Sequence, residues 1–82
     1  MMYWYCVCPI CDGQGRLVIK KDIEKNKLFF HCDECESSWE SASDIGNGHR
    51  VFLGYKIKSS YATENDIKNF GWEKYKKNVY IK

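Results

Sequence analysis

Two C-x-x-C motifs, Cys8-Pro9-Ile10-Cys11 and Cys32-Asp33-Glu34-Cys35, decide the fold of this chain, and residues 12–31 separate them. Two residues between paired cysteines allow a tight turn in which both sulfurs point at one ion, with Zn–S distances of about 2.3 Å. A β-hairpin formed by the intervening residues would bring the second turn back to the first. The spacing therefore predicts one tetrahedral Zn²⁺ site with four ligands: Cys8, Cys11, Cys32 and Cys35.

The turn that contains the first cysteine pair has residues suited to a tight reversal of the chain. Pro9 preorganises the backbone, and Gly13 is expected to let the chain leave without a side chain beside the sulfurs. Backbone N–H groups in such turns can donate hydrogen bonds to the thiolates. Four thiolates leave the ion no open position for water, so we expect one structural Zn²⁺ and no catalytic residue.

Three other uses of the same cysteines are open at this stage. Iron of the rubredoxin type takes the same ligand set, and expression conditions can exchange the two metals. Redox-active pairs are less favoured because no thioredoxin-like βαβ pattern surrounds either motif. A disulfide framework prefers an even number of cysteines, whereas the chain has 5.

Cys6 and His31 are the nearest competing donors. Cys6 lies two residues before Cys8, so on a strand both side chains point to one side. It could hydrogen-bond the site or replace a ligand, but we expect a buried side chain that does not bind the metal. We also expect His31, beside Cys32, not to be a ligand. No Ser/His/Asp or Cys/His set with a third partner can be placed from the sequence.

The length of the chain, 82 residues, predicts a single small domain that needs a staple such as a metal. The first residues carry no basic segment followed by a long apolar run, so no signal peptide or membrane helix is predicted. We therefore expect a cytoplasmic location, where thiols stay reduced. Neither a membrane nor a small-molecule substrate is predicted as a partner.

Hydrophobic alternation and turn residues predict a mostly β-stranded chain. Strands are expected over 1–8, 16–21, 28–31, 36–41, 50–59 and 78–81, with Trp39 turned inward and Gly54 at a bulge. Residues 43–49 are expected to form a loop, and Asn26 to adopt a left-handed conformation. Thr63 and Asp66 resemble a capping box that opens a short helix ending at Gly71.

The charges are unevenly distributed along the chain. Residues 22–49 carry two lysines against seven acids, a difference of −5, and residues 50–82 carry eight basic residues against three acids, a difference of +5. These stretches could form two solvated surfaces that partly neutralise each other. The other interpretation is that the acidic stretch binds an oppositely charged protein, with Trp39 as an aromatic anchor. The predicted partner-binding residues are Asp22, Glu24, Asp33, Glu34, Glu36, Glu40, Asp44 and Trp39.

The paired cysteines across a predicted hairpin resemble the zinc-ribbon superfamily, over about residues 4–40. The resemblance implies a small metal-stabilised β-rich α+β fold: rubredoxin-like knuckles on a β-hairpin, followed by a C-terminal strand and a short helix. We expect one domain over 1–82, with the ribbon in 1–45 and an elaboration in 46–82. The segment CPICDGQG also matches the C-x-x-C-x-G-x-G motif of J-domain chaperones, but the second cysteine pair lacks both glycines.

A closer resemblance concerns CPICDGQGRL, LFFHCDECESSW and ATENDIKNFGWEKY. These segments are similar to small bacterial single-ribbon proteins of toxin–immunity loci, some of which are immunity proteins. That resemblance implies a protein that binds and neutralises a cognate toxin, such as a nuclease. The alternative is nucleic-acid binding, with basic residues of 50–82 interleaved with rings. Those rings are Tyr55, Tyr61, Trp72 and Tyr75.

Overall fold

The computed structural model describes residues 2–47 and 49–80, and within these ranges seven strands form one sheet. The pairings are all antiparallel. The order across the sheet is β5-β4-β3-β2-β1-β7, with β6 paired to β2 beside β1. The strands are β1 (Met2–Val7), β2 (Arg16–Asp22), β3 (Lys27–Cys32), β4 (Ser37–Trp39), β5 (Phe52–Leu53), β6 (Ser59–Tyr61) and β7 (Asn78–Tyr80).

Two short α-helices and two turns of 3-10 helix complete the described part of the chain. The helices are α1 (Ala42–Ile45) and α2 (Glu64–Asn69), and the 3-10 turns are Gly54–Lys56 and Glu73–Tyr75. No helix within the described ranges is both long enough and apolar enough to cross a membrane. The sequence prediction of a small β-rich α+β chain is confirmed at this level.

The β2–β3 hairpin is the centre of the sheet. Its register runs from Leu17 opposite Cys32 to Asp22 opposite Lys27. The turn is closed by Asn26 at φ 53°, the left-handed conformation predicted for it. The Asp22 carboxylate accepts hydrogen bonds from the backbone N–H groups of Glu24 and Lys25, at 3.1 and 3.0 Å. The hairpin thereby delivers Cys32 to the position that the cysteine spacing requires.

Side chains alternate in direction along the hairpin, which gives the sheet two different faces. On the core face, Leu17, Ile19 and Phe30 join one apolar cluster with Ile67 of α2 and Trp39 of β4. Trp72 stacks on Phe30 with ring centroids 4.6 Å apart, and Tyr5 and Tyr75 also contact this ring. On the second face lie Val18, Lys20, Phe29 and His31, which alternate with those residues along β2 and β3.

The predicted strand over 50–59 is wrong, because its two ends pair on opposite sides of the hairpin. Phe52–Leu53 pairs with β4 at one edge, whereas Ser59–Tyr61 pairs with β2 on the far side of β3. The chain therefore crosses the second face through the 3-10 turn that begins at Gly54, where a bulge was predicted. No straight strand can join two positions separated by β4, β3 and β2.

The predicted loop over 43–49 is also wrong in its first part. Residues Ala42–Ile45 form α1, which places Ile45 in the core cluster beside Trp39. The indole N–H of Trp39 donates to the carbonyl oxygen of His49 at 2.7 Å, which ties down the chain after α1. A polar stretch with one isoleucine gave no periodic signal from which so short a helix could be predicted.

Helix α2 begins as the sequence predicted. The Thr63 hydroxyl accepts the Asp66 N–H at 3.1 Å, and the Asp66 carboxylate accepts the Thr63 N–H at 3.0 Å. Gly71 follows the helix at φ 71°, the conformation predicted by its place after Phe70. The helix holds Ile67 fully buried on the core face.

Replacing Thr63 by alanine removes one half of this capping box. We expect the free energy of unfolding of the metal-loaded protein to fall by about 1 kcal/mol, because the Asp66 N–H loses its partner. Urea unfolding followed by circular dichroism measures the change. The Thr63→Ser variant keeps the hydroxyl and is the matched control; equal losses in both variants would contradict the assigned role.

Candidate metal centre

The four predicted ligands come together in the structure. The sulfurs of Cys8, Cys11, Cys32 and Cys35 all lie within 4.8 Å of one another. The Cys8 and Cys35 sulfurs are 3.7 Å apart, and those of Cys11 and Cys32 are 3.6 Å apart. A tetrahedral ion with Zn–S distances of about 2.3 Å requires sulfurs about 3.8 Å apart. The cluster is therefore of a size that could hold one metal ion.

Two turns present these sulfurs at the open end of the β2–β3 hairpin, one before β2 and one after β3. The first follows β1 and is closed by hydrogen bonds from the Gly13 N–H to the Cys8 carbonyl oxygen at 2.9 Å and from the Cys8 N–H to the Gly15 carbonyl oxygen at 2.8 Å. The second joins β3 to β4 and leaves through Glu36 at φ 66°. Each turn needs a residue in the left-handed region because the chain must reverse within a few residues of the sulfurs.

Backbone N–H groups point at the sulfurs, as the sequence analysis expected of such turns. The Ile10 N–H lies 3.4 Å from the Cys8 sulfur, and the Gly15 N–H lies 3.3 Å from the Cys11 sulfur. In the second turn, the N–H groups of Glu34 and Cys35 both lie 3.4 Å from the Cys32 sulfur. These donors disperse negative charge from thiolates that would otherwise repel one another.

The role predicted for Gly13 belongs to Gly15. A Cβ at Gly13 would meet no atom within 4 Å, and this glycine is required by its φ of 79° instead. A Cβ at Gly15 would overlap the Cys32 sulfur and lie 3.1 Å from the Asp33 carboxylate. The chain can thus pass the second cysteine pair only if residue 15 has no side chain.

The Gly15→Ala substitution should therefore weaken metal binding while leaving all four ligands in place. We expect a roughly 10- to 100-fold loss in Zn²⁺ affinity, the range typical of groups that orient ligands. Competition with a chromophoric chelator measures it. Gly46→Ala is the control, because a Cβ there would lie 3.8 Å from its nearest neighbour, the Ser43 carbonyl oxygen. Unchanged affinity in Gly15→Ala would contradict the close approach.

The pKa values of the four thiols differ with their surroundings. Burial raises the pKa of Cys8 and of Cys32. Burial also acts to raise the pKa of Cys35, but hydrogen bonding from Ser37 and from the other cysteines outweighs it and lowers that pKa to about 7. The Ser37 hydroxyl lies 3.2 Å from the Cys35 sulfur. Because metals bind thiolates, loading the site releases the protons that the buried thiols hold.

The other two candidate donors lie outside the four-cysteine cluster. Cys6 is half-buried against the core cluster, where burial raises the pKa of its thiol. His31 is buried on the second face, with Nε2 3.0 Å from the Glu36 carboxylate and Nδ1 3.0 Å from the Ser38 hydroxyl. Its ring therefore points along the sheet, with both nitrogens engaged by residues of the second turn and β4.

Two of the residues predicted to bind a partner are buried, so the prediction is wrong for them. Trp39 is 0% exposed and Asp22 is 2% exposed. The indole fills the core between β3 and α1, and the Asp22 carboxylate closes the hairpin turn. Neither side chain can contact a partner on the surface. The inward orientation expected for Trp39 is confirmed, and it is incompatible with the surface anchor also predicted for this residue. Asp22 lies in a stretch that reads as a polar turn, so its burial had no signal in the sequence.

Most of the remaining predicted acids have partners within the chain. The Asp33 carboxylate accepts the Arg16 N–H at 2.8 Å, Glu36 pairs with His31, Glu40 with Lys27, and Asp44 accepts from the Ser41 hydroxyl at 2.9 Å. Glu24 and Glu34 are exposed. The acidic stretch is thus used largely to hold its own turns together.

Sequence reasoning missed a Ser38–His31–Glu36 chain, which joins the residue types of a catalytic triad. Its one signal was that Ser38 and His31 become cross-strand neighbours once β3 and β4 are aligned. The Ser38 hydroxyl is fully buried and also lies within hydrogen-bond distance of the Glu36 carbonyl oxygen, at 3.3 Å. Gly54 covers it from the second face, since a Cβ there would lie 2.6 Å from that hydroxyl and overlap the His31 ring. A nucleophile in this position has no path to a substrate.

The Gly54→Ala substitution should destabilise the protein by displacing this packed trio. We expect a loss of about 1–3 kcal/mol in the free energy of unfolding, the range for overpacking a close contact. Thermal and urea unfolding of the metal-loaded protein measure it, with Gly46→Ala as the control that adds the same methyl at an ordinary contact distance, 3.8 Å from the Ser43 carbonyl oxygen. A variant as stable as the wild type would contradict the packing of Gly54 on His31.

Comparison with protein-family models, with curated proteins and with solved structures finds no match to this chain. The function is therefore argued from the geometry of its own residues.

Proposed function

We propose that this chain is a zinc-stabilised recognition module whose metal is structural and which performs no catalysis. The convergence of four cysteine sulfurs within 4.8 Å carries the proposal. Four-sulfur tetrahedral sites in proteins bind Zn²⁺ or iron, and zinc is the commoner occupant of paired-cysteine turns. A site with four protein ligands is complete, so the ion contributes folding free energy and offers no vacant position to a substrate.

The connectivity supports a zinc ribbon as the fold of this module. One cysteine turn follows β1, the other follows β3, and the β2–β3 hairpin joins them. The C-terminal residues then extend the same sheet through β5, β6 and β7, and α2 packs on its core face. A module of this kind offers sheet faces and turns for binding, and the metal fixes their relative positions.

A protein partner, and within it a bacterial toxin neutralised by an immunity protein, stays a prediction. Two exposed acids, Glu24 and Glu34, are available for pairing with a basic partner. The engagement of the other predicted acids within the chain reduces the charge that such a surface could present. The fold itself favours no toxin over any other partner.

The structural role of the metal is tested by removing it. We expect one Zn²⁺ per chain by elemental analysis, and we expect a strong chelator to abolish the circular dichroism signal of the folded state, because binding and folding are coupled in so small a domain. Loading with Co²⁺ should give the visible spectrum of tetrahedral thiolate coordination. Added cyanide should leave that spectrum unchanged, since the site is full.

Two matched cysteine variants sharpen this test. Cys11→Ser removes a ligand and should lose stoichiometric metal, whereas Cys6→Ser removes a thiol outside the cluster and should keep it. A chain that stays folded after complete metal removal, or that loses its metal on substitution of Cys6, would overturn the proposal.

A further inference from the structure

One part of the second face carries two cation–aromatic pairs side by side. The guanidinium of Arg16 lies 5.4 Å from the centre of the Trp4 ring, and the ammonium of Lys20 lies 5.0 Å from the centre of the Tyr61 ring. Arg16 is exposed, Tyr61 is 43% exposed, and Trp4 and Lys20 are half-buried. We call these four residues the stacking strip: Trp4, Arg16, Lys20 and Tyr61.

Strand register places the four side chains on one face. Trp4 lies opposite Val18 and Tyr61 lies opposite Lys20, both on the same side of β2. Residues directly opposite each other in an antiparallel pair share a face, and so do alternate residues of one strand. The two rings are thus offset by two residues of β2, or about 7 Å. Val18, which is fully buried, forms the floor between them.

The segment after β5 covers much of the second face around β3 and β4 and leaves a cavity lined by residues that include Asp22, Phe29 and Phe52. Gly54 covers His31 and Ser38, and Phe52 packs against Phe29 with ring centroids 5.3 Å apart. The segment that crosses this face after β5 does not cover the strip formed by β1, β2 and β6. A partner that contacts all four residues of the stacking strip would lie extended along β2.

We propose that the stacking strip binds single-stranded nucleic acid, with successive bases on the Trp4 and Tyr61 rings and phosphates beside Arg16 and Lys20. This inference rests on the proposed recognition function and names its partner. Rings stack on any base, which gives affinity without sequence preference, and adjoining cations neutralise the backbone. Burial lowers the pKa of Lys20, with Glu36 opposing that effect, so its partly desolvated ammonium gains from a phosphate oxygen.

This surface differs from the one expected from the basic residues of 50–82. Two of the rings expected there, Trp72 and Tyr75, pack on Phe30 in the core cluster. Lys76 pairs with Glu64 at 3.0 Å. Tyr61 is the ring from that stretch that reaches the strip, and its neighbours Trp4 and Arg16 come from the N-terminal strands.

The experiment uses the full zinc-loaded chain and fluorescein-labelled oligonucleotides of twelve thymidines or twelve uridines. Fluorescence anisotropy at 50 mM salt should show saturable binding that weakens steeply at 200 mM salt. The Tyr61→Leu variant should bind roughly tenfold more weakly because one stacked base is lost. Lys20→Ala should reduce the salt dependence by about one phosphate contact, or ~0.7 in the logarithmic slope.

Two control variants distinguish binding at the stacking strip from binding that any lysine or any exposed ring would give. Lys74→Ala removes a lysine that also lies over a tyrosine ring, Tyr75, which belongs to the core cluster. Tyr55→Leu removes a tyrosine that is 64% exposed in the 3-10 turn after β5. Both controls should bind as the wild type does. Since Trp4→Leu removes a half-buried ring, it is judged only where its metal content and circular dichroism match the wild type.

Three outcomes would overturn the inference. The first is no binding at 50 mM salt by a chain that holds one Zn²⁺ and is folded, which leaves the structural role of the metal intact. The second is equal weakening by Lys20→Ala and Lys74→Ala with no effect of Tyr61→Leu, which indicates charge alone. The third is displacement of the oligonucleotide by an equimolar poly-glutamate peptide, which indicates an acidic protein as the partner.

Discussion

The meeting of four cysteine sulfurs at one point is the constraint on which the rest of this structure depends. The sulfurs lie within 4.8 Å of one another, a spacing at which four thiolates would repel one another unless an ion neutralised them. In the zinc-bound state that we propose, a divalent cation holds together two turns that a hairpin separates in the sequence. The hairpin between the turns can then keep one register. The sulfurs fix the strand pairing at its open end, and the turn through Asn26 fixes it at its closed end.

Around this hairpin, the C-terminal residues finish each face of the sheet in a different way. On the core face, α2 and the turn at Glu73–Tyr75 bring Ile67, Trp72 and Tyr75 onto Phe30, which builds most of the aromatic packing. On the second face, the segment after β5 crosses directly over His31 with no space for a side chain at Gly54. The first arrangement stabilises the fold, and the second decides how much of the sheet remains open to a partner.

The features predicted correctly from the sequence were those set by residues close together in the chain. Paired cysteines, the left-handed Asn26 and the Thr63–Asp66 capping box each depend on local geometry, and each is found in the structure. The errors concern non-local pairing. Nothing within residues 50–59 shows that one end lies beside β4 and the other beside β2. Likewise, only the approach of the second cysteine turn distinguishes the role of Gly15 from that of Gly13.

The described sheet ends in three short edge strands, which affects how copies of this chain meet. Within the described residues, β5 at one edge has 2 residues, and β6 and β7 on the other side have 3 each. An edge offers its unpaired N–H and C=O groups to a neighbouring molecule, and long flat edges invite ladder growth from chain to chain. Edges this short present too few such groups to template an added strand. The chain can therefore combine a high aromatic content with resistance to edge-to-edge aggregation.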